Sequence, residues 1–324
     1  MHPSEVLFKG EALPRALPVC DHYCGTEMRM RKALALQGEL GPVFDITLDC
    51  EDGAPIGQEI PHAKMCADLI TSPNNLFNRV GARIHDPDHE NILSDIEILA
   101  GQCADKIAFI TIPKVNSVAQ TQAVIDQINA QSKKSGSNRL IPIQVLIETH
   151  GALADVFELA AIPQIESLSF GLMDFVSAHN GAIPASAMDR DQFKHPLVVR
   201  AMLEISAACH AFGKIPSHNV CTNINDPAVL RSDSLIAKDT LGYTRKWSIH
   251  PKQIEVIVES FRPSLEEGQK AMAILGAAAD AHWGPIQYEG NLHDRASYRY
   301  YWTVLQRAIA SGMIFPEYDE RSWG

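Results

Sequence analysis

Short runs of β-branched and apolar residues recur along the chain: LPVCDHY (17–23), FDITLDCE (44–51), NRVGARIH (78–85), KIAFITIPK (106–114), LIPIQVLIE (140–148), ESLSFGLMD (166–174), KIPSHNVC (214–221) and YTRKWSIH (243–250). Each is of strand length and rich in Val, Ile, Phe or Tyr, so each predicts a strand. Between them apolar residues return every three or four positions, in TEMRMRKALALQ, PHAKMCADLITS, ENILSDIEILAGQ, SVAQTQAVIDQINAQ, ALADVFELAAI, HPLVVRAMLEISAACHAFG, DPAVLRSDSLIAKDT and PKQIEVIVESF. That period predicts helices, with Ser117 and Asp226 placed as N-caps and Gly213 as a stop.

Strands that alternate with crossover helices make a parallel sheet covered by helices, and eight such units predict an α/β (β/α)8 TIM barrel. The competing open doubly wound sheet loses support, because no G-x-G-x-x-G follows the first strand and no G-x-x-x-x-G-K-[ST] occurs. After about residue 260 the rhythm stops. FRPSLEEGQKAMAILGAAADAHW reads as a helix, PIQYEGNLHD as a turn-rich connector and RASYRYYWTVLQRAIASG as a last amphipathic helix. The expected organisation is a barrel domain over 1–260 and a C-terminal helical lid extension over 261–324.

Composition narrows the class. The chain has 324 residues, 46% hydrophobic, with a formal net charge of −11, which disfavours nucleic acid and anionic membranes as partners. No apolar run reaches the roughly 18 residues of a membrane span, and the opening MHPSEVLFKGE lacks the pattern of a signal peptide. Seven cysteines, an odd number spread over a long chain, suit reduced thiols and a cytoplasmic protein. The pair in CDHYC has the look of half a zinc site but no matching second pair.

Candidate chemistry begins at IPIQVLIETHG (141–151), an apolar strand that ends on Glu148. Asp174 closes the next run, and neighbouring parallel strands lie about 4.8 Å apart. Two carboxylates at adjacent strand tops in a barrel mouth would repel, and a hard divalent cation resolves the conflict. Magnesium fits best, since two carboxylates leave most of its six positions to water and substrate; manganese fits nearly as well. The bland alternative is that Glu148 and Asp174 cap the helices that follow or pair with Arg83 and Lys114.

Seven ordered segments resemble the citrate lyase beta-subunit-like family, which includes malyl- and citramalyl-coenzyme A lyases within the HpcH/HpaI aldolase superfamily. TLDCEDGAP (47–55) resembles LDLEDGVP, ARIHDPD (82–88) an arginine segment VRVNPLD, and IPKVNS (112–117) LPKVES. LIETHGAL (146–153) resembles LIETARGV, LSFGLMDF (168–175) FGAEDF, and WSIHPKQIEVI with FRPSLEE resembles IHPSQIEPVNxxFTPSxEE. EGNLHDRA (289–296) is similar to GKMIDRP.

The resemblance implies that Glu148 and Asp174 ligate Mg2+, that Arg83 binds the substrate oxygen that becomes charged, and that Asp294 is a lid aspartate delivered by a neighbouring subunit. Glu51 and Asp52 would support metal-bound water and substrate, with Lys114 beside them. It implies a carbon–carbon lyase acting on a malyl- or citramalyl-type thioester or a related small hydroxy or oxo acid, with a homotrimer or dimer of trimers as the assembly. The alternatives are a malate-synthase-like transferase that hydrolyses the thioester, and a non-catalytic acid-binding subunit of a lyase complex. Three departures stand out. LPVCDHYCG (17–25) replaces the family's RSxLFVPG, which weakens the case for coenzyme A; His85 stands for an asparagine and His218 for an aspartate. With His150 and His250, these histidines are expected around the mouth.

Overall fold

The eight apolar runs become strands β1 (Cys20–Cys24), β2 (Phe44–Asp49), β3 (Val80–Arg83), β4 (Ile110–Ile112), β5 (Ile143–Ile147), β6 (Ile165–Phe170), β7 (Ile215–His218) and β8 (Arg245–Ser248). They close in chain order into a parallel barrel, with β8 returning to pair with β1. This computed structural model describes residues 2–11 and 16–315.

Alternation along each strand divides two environments. On β2, Phe44, Ile46 and Leu48 join the apolar core beneath the helices. The intervening Asp45 joins Asp21 around Arg245: Nη1 of Arg245 is 2.6 Å from Asp45 and Nη2 is 3.0 Å from Asp21. Arg79 adds a 2.7 Å contact to Asp45, and Thr47 donates a 2.7 Å hydrogen bond to Asp21. One step further along β1 and β8, Tyr23 stacks on Trp247 with centroids 4.1 Å apart, against buried Leu146. The strand tops then carry Asp49, Arg83 and, one residue past β5, Glu148.

The crossover helices follow the sequence expectations closely. Ser117 accepts from the Gln120 amide to open the helix Val118–Lys134, and Asp226 accepts from the Ala228 amide to open Pro227–Asp239. Gly213 ends the helix Pro196–Ala211 region at φ +63°, a left-handed conformation that glycine adopts without steric cost.

Residues Val19–Phe261 form one compact unit, and the tail from Arg262 onward forms a second together with the first residues of the chain. The short helix Pro3–Phe8, placed by the sequence reading in the barrel domain, therefore belongs with the tail. Leu7 and Phe8 pack among Ala271, Ile274, Leu275, Tyr298 and Leu305, and Arg299 donates a 2.8 Å bond to the Leu7 carbonyl. Helix Leu265–Asp280 opens on a capping box between Ser264 and Glu267. The stretch expected as a connector is a hairpin, β9 (Ile286–Tyr288) against β10 (Asn291–His293). Its two turn residues, Glu289 and Gly290, have φ of +49° and +81°, as a two-residue hairpin turn requires. Among the described residues no helix is long and apolar enough to cross a membrane.

Candidate active site

At the top of β2 and β3 a chain of alternating charges runs across the mouth. Arg83 reaches back to Asp49 with two parallel bonds, Nε to Oδ1 at 2.8 Å and Nη2 to Oδ2 at 2.6 Å. Its third nitrogen, Nη1, lies 2.8 Å from Glu51. Glu51 also meets the ammonium of Lys114, which bridges on to both oxygens of Asp52 at 3.0 and 3.1 Å. Asp49 is fixed from below as well: its oxygens accept from the amides of Glu51 and Gly53 at 3.0 and 2.9 Å. A Cβ on Gly53 would collide with that carboxylate, so the tight turn needs glycine here. Burial raises the Glu51 carboxyl above its ordinary value, with Arg83 and Lys114 pulling the other way. Burial also acts to raise Asp52, but the Lys114 ammonium outweighs it and holds that acid low.

Glu148 stands apart from this network. It is 2% exposed, and its Oε1 accepts from the Lys114 amide at 2.7 Å. That amide is aimed inward because Lys114 takes a left-handed φ of +48°, strain that a lysine tolerates only where the surroundings fix it. Among the described residues no side-chain cation lies within ion-pairing distance of Glu148. Burial, reinforced by the charge of Asp174, pushes its carboxyl up to about 8. The other oxygen lies over Gly171, where any Cβ would clash with it. Asp174 itself does not close β6, as its place in the sequence run suggests. The strand ends at Phe170, and Asp174 sits in the first turn of the short helix Leu172–Ser177, half-buried. A cleft of about 640 Å³ opens beside it, lined by Met173, Val176, Ile183, Pro184 and Met188.

These two acids suit a hard cation. A buried carboxylate beside a half-buried one, with no side-chain cation among the described residues paired to the first, is an unfavourable arrangement on its own, and a small oxygen-seeking ion is the group that corrects it.

The remaining candidates distribute unevenly. His85 lies near the network, its Nδ1 2.6 Å from Asp95 and its ring stacked on His89 with centroids 4.1 Å apart. The Asp95 carboxylate raises its affinity for a proton against the effect of burial. His218 does not join the mouth. It is fully buried between Phe193 and Tyr243, with Nδ1 2.8 Å from the ammonium of Lys246, and burial drives its pKa well below normal. His150 is exposed, with Nε2 3.2 Å from the Ala178 carbonyl, and His250 accepts from the Lys252 amide. Asp294, in the second unit, is the N-cap of helix Arg295–Ala310, accepts from the Ala296 amide and is exposed. Sequence reasoning passed over Asp95, whose partnership with His85 spans one crossover, and Gly171, which no local pattern marks.

Five acids, Asp49, Glu51, Asp52, Glu148 and Asp174, against two cations at the C-terminal strand ends define a barrel enzyme whose polar residues sit where such barrels place their chemistry. The model of the HpcH/HpaI aldolase/citrate lyase family matches residues 46–251, and the chain belongs to that family. It is similar to a crystal structure of a citrate lyase from Burkholderia xenovorans LB400, 53% identical over the full length of both chains with a TM-score of 0.86. The L-malyl-CoA/beta-methylmalyl-CoA lyase of Cereibacter sphaeroides is 29% identical over 279 residues, covering 81% of this chain and 86% of the relative. The fold is shared with the CitE protein of Mycobacterium tuberculosis in complex with magnesium, acetoacetate and coenzyme A, at 23% identity, TM-score 0.67, and coverage of 91% and 99% of the two chains.

Proposed function

We propose that this protein is a Mg2+-dependent carbon–carbon lyase that cleaves a malyl- or citramalyl-type hydroxyacyl thioester, or a closely related hydroxy acid. The observation that carries the reading is Glu148: a buried acid that no side-chain cation among the described residues contacts as an ion pair, beside a second acid, at a barrel mouth. Glu148 and Asp174 would hold the ion. When bound it would supply Lewis-acid stabilisation of the oxygens of a 2-oxo acid.

The chain's own groups account for the rest of the reaction. Cleavage breaks the C–C bond beside the substrate hydroxyl as that hydroxyl gives up its proton, leaving a carbonyl on one fragment and an enolate on the other; the enolate carbon then takes up one proton, so that none is gained or lost overall. The Arg83 guanidinium is the cation placed to stabilise the oxygen that gains charge, and Asp49 holds it by two hydrogen bonds so that it cannot swing away. Its Nη1 is the nitrogen a substrate would share with Glu51. Glu51 and Asp52 restrain Lys114, whose amide in turn orients Glu148. Asp294 delivers or removes the proton at the enolate carbon, from a neighbouring subunit of a homotrimer or dimer of trimers. Its exposure leaves it available for such a role. The apolar cleft beside Asp174 supports an acyl or thioester arm next to the metal. Seven unpaired, buried cysteines support a reducing, cytoplasmic setting.

Product analysis tests this reading. Incubation with Mg2+ and malyl-coenzyme A should yield glyoxylate and acetyl-coenzyme A with no free thiol. Release of free coenzyme A would instead favour the hydrolysing transferase, and metal binding without turnover on thioesters or free acids would favour a binding subunit. Mixing Asp294→Ala and Arg83→Ala chains should restore part of the activity if the lid crosses between subunits; no rescue would place it in the same chain.

A further inference from the structure

Behind β2, on the side turned toward the helices, two thiols and an imidazole converge. Cys50 follows directly on Asp49, while His62 and Cys66 stand one turn apart on the helix Glu59–Thr71, four residues being the spacing that puts side chains on one face. One ligand atom from each lies within 4.8 Å of the others, the two sulfurs are 3.8 Å apart, and all three residues are buried. His62 Nε2 lies 2.8 Å from the Asp49 carbonyl oxygen. A carbonyl can only accept, so Nε2 carries the proton and Nδ1 keeps its lone pair.

We propose that Cys50, His62 and Cys66 form a binding site for a thiophilic d10 cation, Zn2+ or Cu+. Two thiolates on a tetrahedral zinc with bonds of about 2.3 Å stand about 3.8 Å apart, which is the separation the two sulfurs already have. An imidazole whose second nitrogen donates to a backbone carbonyl is the usual form of a metal-binding histidine. Two sulfurs and a nitrogen select soft ions, whereas the oxygen pair of Glu148 and Asp174 selects hard ones, so the two sites sort their metals. Through His62 the ion would be tied to Asp49, and hence to the residue that grips Arg83. The site is independent of the reaction assigned to the barrel mouth.

Because the cluster is buried, the metal enters as the chain folds, and the test begins with expression. The full chain, produced in zinc-supplemented medium and exchanged into excess Mg2+, should retain one equivalent of zinc by elemental analysis. Cys66→Ser should lose it and Glu148→Gln should keep it. Protein produced with Co2+ should show an intense thiolate-to-cobalt charge-transfer band, a reading that needs no variant. A Cu+ arm, scored by competition with a chromophoric chelator, separates the two ions. Folded wild-type protein with neither the cobalt band nor bound Zn2+ or Cu+ overturns the proposal, as does a Cys50–Cys66 disulfide seen by mass in metal-free conditions that zinc does not prevent.

Discussion

Two assemblies of buried charge occupy the same barrel, a few residues apart along the strands, and they are built on opposite principles. In the lower one, Asp21 and Asp45 face Arg245 and Arg79, and every member of the ion pairs has its counter-charge at 2.6 to 3.0 Å. In the upper one, Glu148 is bonded to an amide and faces a second acid, and Arg83 acts on it only as a more distant charge, because Asp49 and Glu51 hold that guanidinium. Matched charges in a low-dielectric interior hold a structure in one arrangement; an acid without an ion-pair partner is the kind of group that functional sites use. The difference separates scaffold from site without reference to any relative.

The comparison can be broken most severely at the top. Glu148→Gln or Asp174→Asn should fold normally yet lower Mg2+-dependent turnover by about a thousandfold or more, roughly 4 kcal/mol in the barrier. Retained turnover would remove the metal assignment. Cutting the lower assembly should do the reverse: Arg245→Met leaves buried Asp21 without a counter-charge and Asp45 with Arg79 alone, and should cost about 3–5 kcal/mol in denaturant unfolding, a loss that substrate and Mg2+ at the mouth cannot replace.

Proton linkage sharpens the contrast further. Because burial and Asp174 hold the Glu148 proton up to about 8, Mg2+ must displace it, and affinity should rise about tenfold per pH unit below 8 and level off above. Calorimetric titration across pH 6 to 9, on the order of one proton released per ion at the low end, checks this. The smallest effect is on stability without metal. A carboxyl raised from 4.5 to about 8 in the fold makes ionisation destabilising, a penalty absent at low pH, growing as pH rises from 4.5 and complete above 8. Metal-free Glu148→Gln should therefore melt about 2 °C or more above the parent at pH 8.5 and no higher at pH 4.5.

Much of the barrel was legible because its information is local. A both-face-buried strand must be an apolar run, a crossover helix must repeat every three to four residues, and Ser117 and Asp226 cap where they stand. Glu148 was legible for the same reason, as a charge that interrupts such a run. What the sequence hid depends on distant pairings. Asp49 and Glu51, on the neighbouring strand end, can be named from the sequence as ion-pair partners for Arg83, but not that Asp49 takes two of its nitrogens while Glu51 takes the third. His218 reads as a mouth residue by its place at the end of β7, but strand alternation turns it outward onto Lys246. The tail hairpin was masked by Glu289, which stands at positive φ in its turn although such a residue is seldom found there. Helix Pro3–Phe8 carries no mark of a partner that lies 292 positions away.

That last pairing has a consequence on the ribosome. At about 5 to 20 residues per second, roughly 15 to 60 seconds separate the synthesis of Leu7 and Phe8 from that of the helix whose Arg299 clasps them. The barrel strands are all made in that interval, while two large apolar side chains wait for their final cover. A nascent chain stalled before residue 262 would thus be expected to engage chaperones through its opening segment, and replacing Leu7 and Phe8 with polar residues should relieve that dependence while weakening the finished tail.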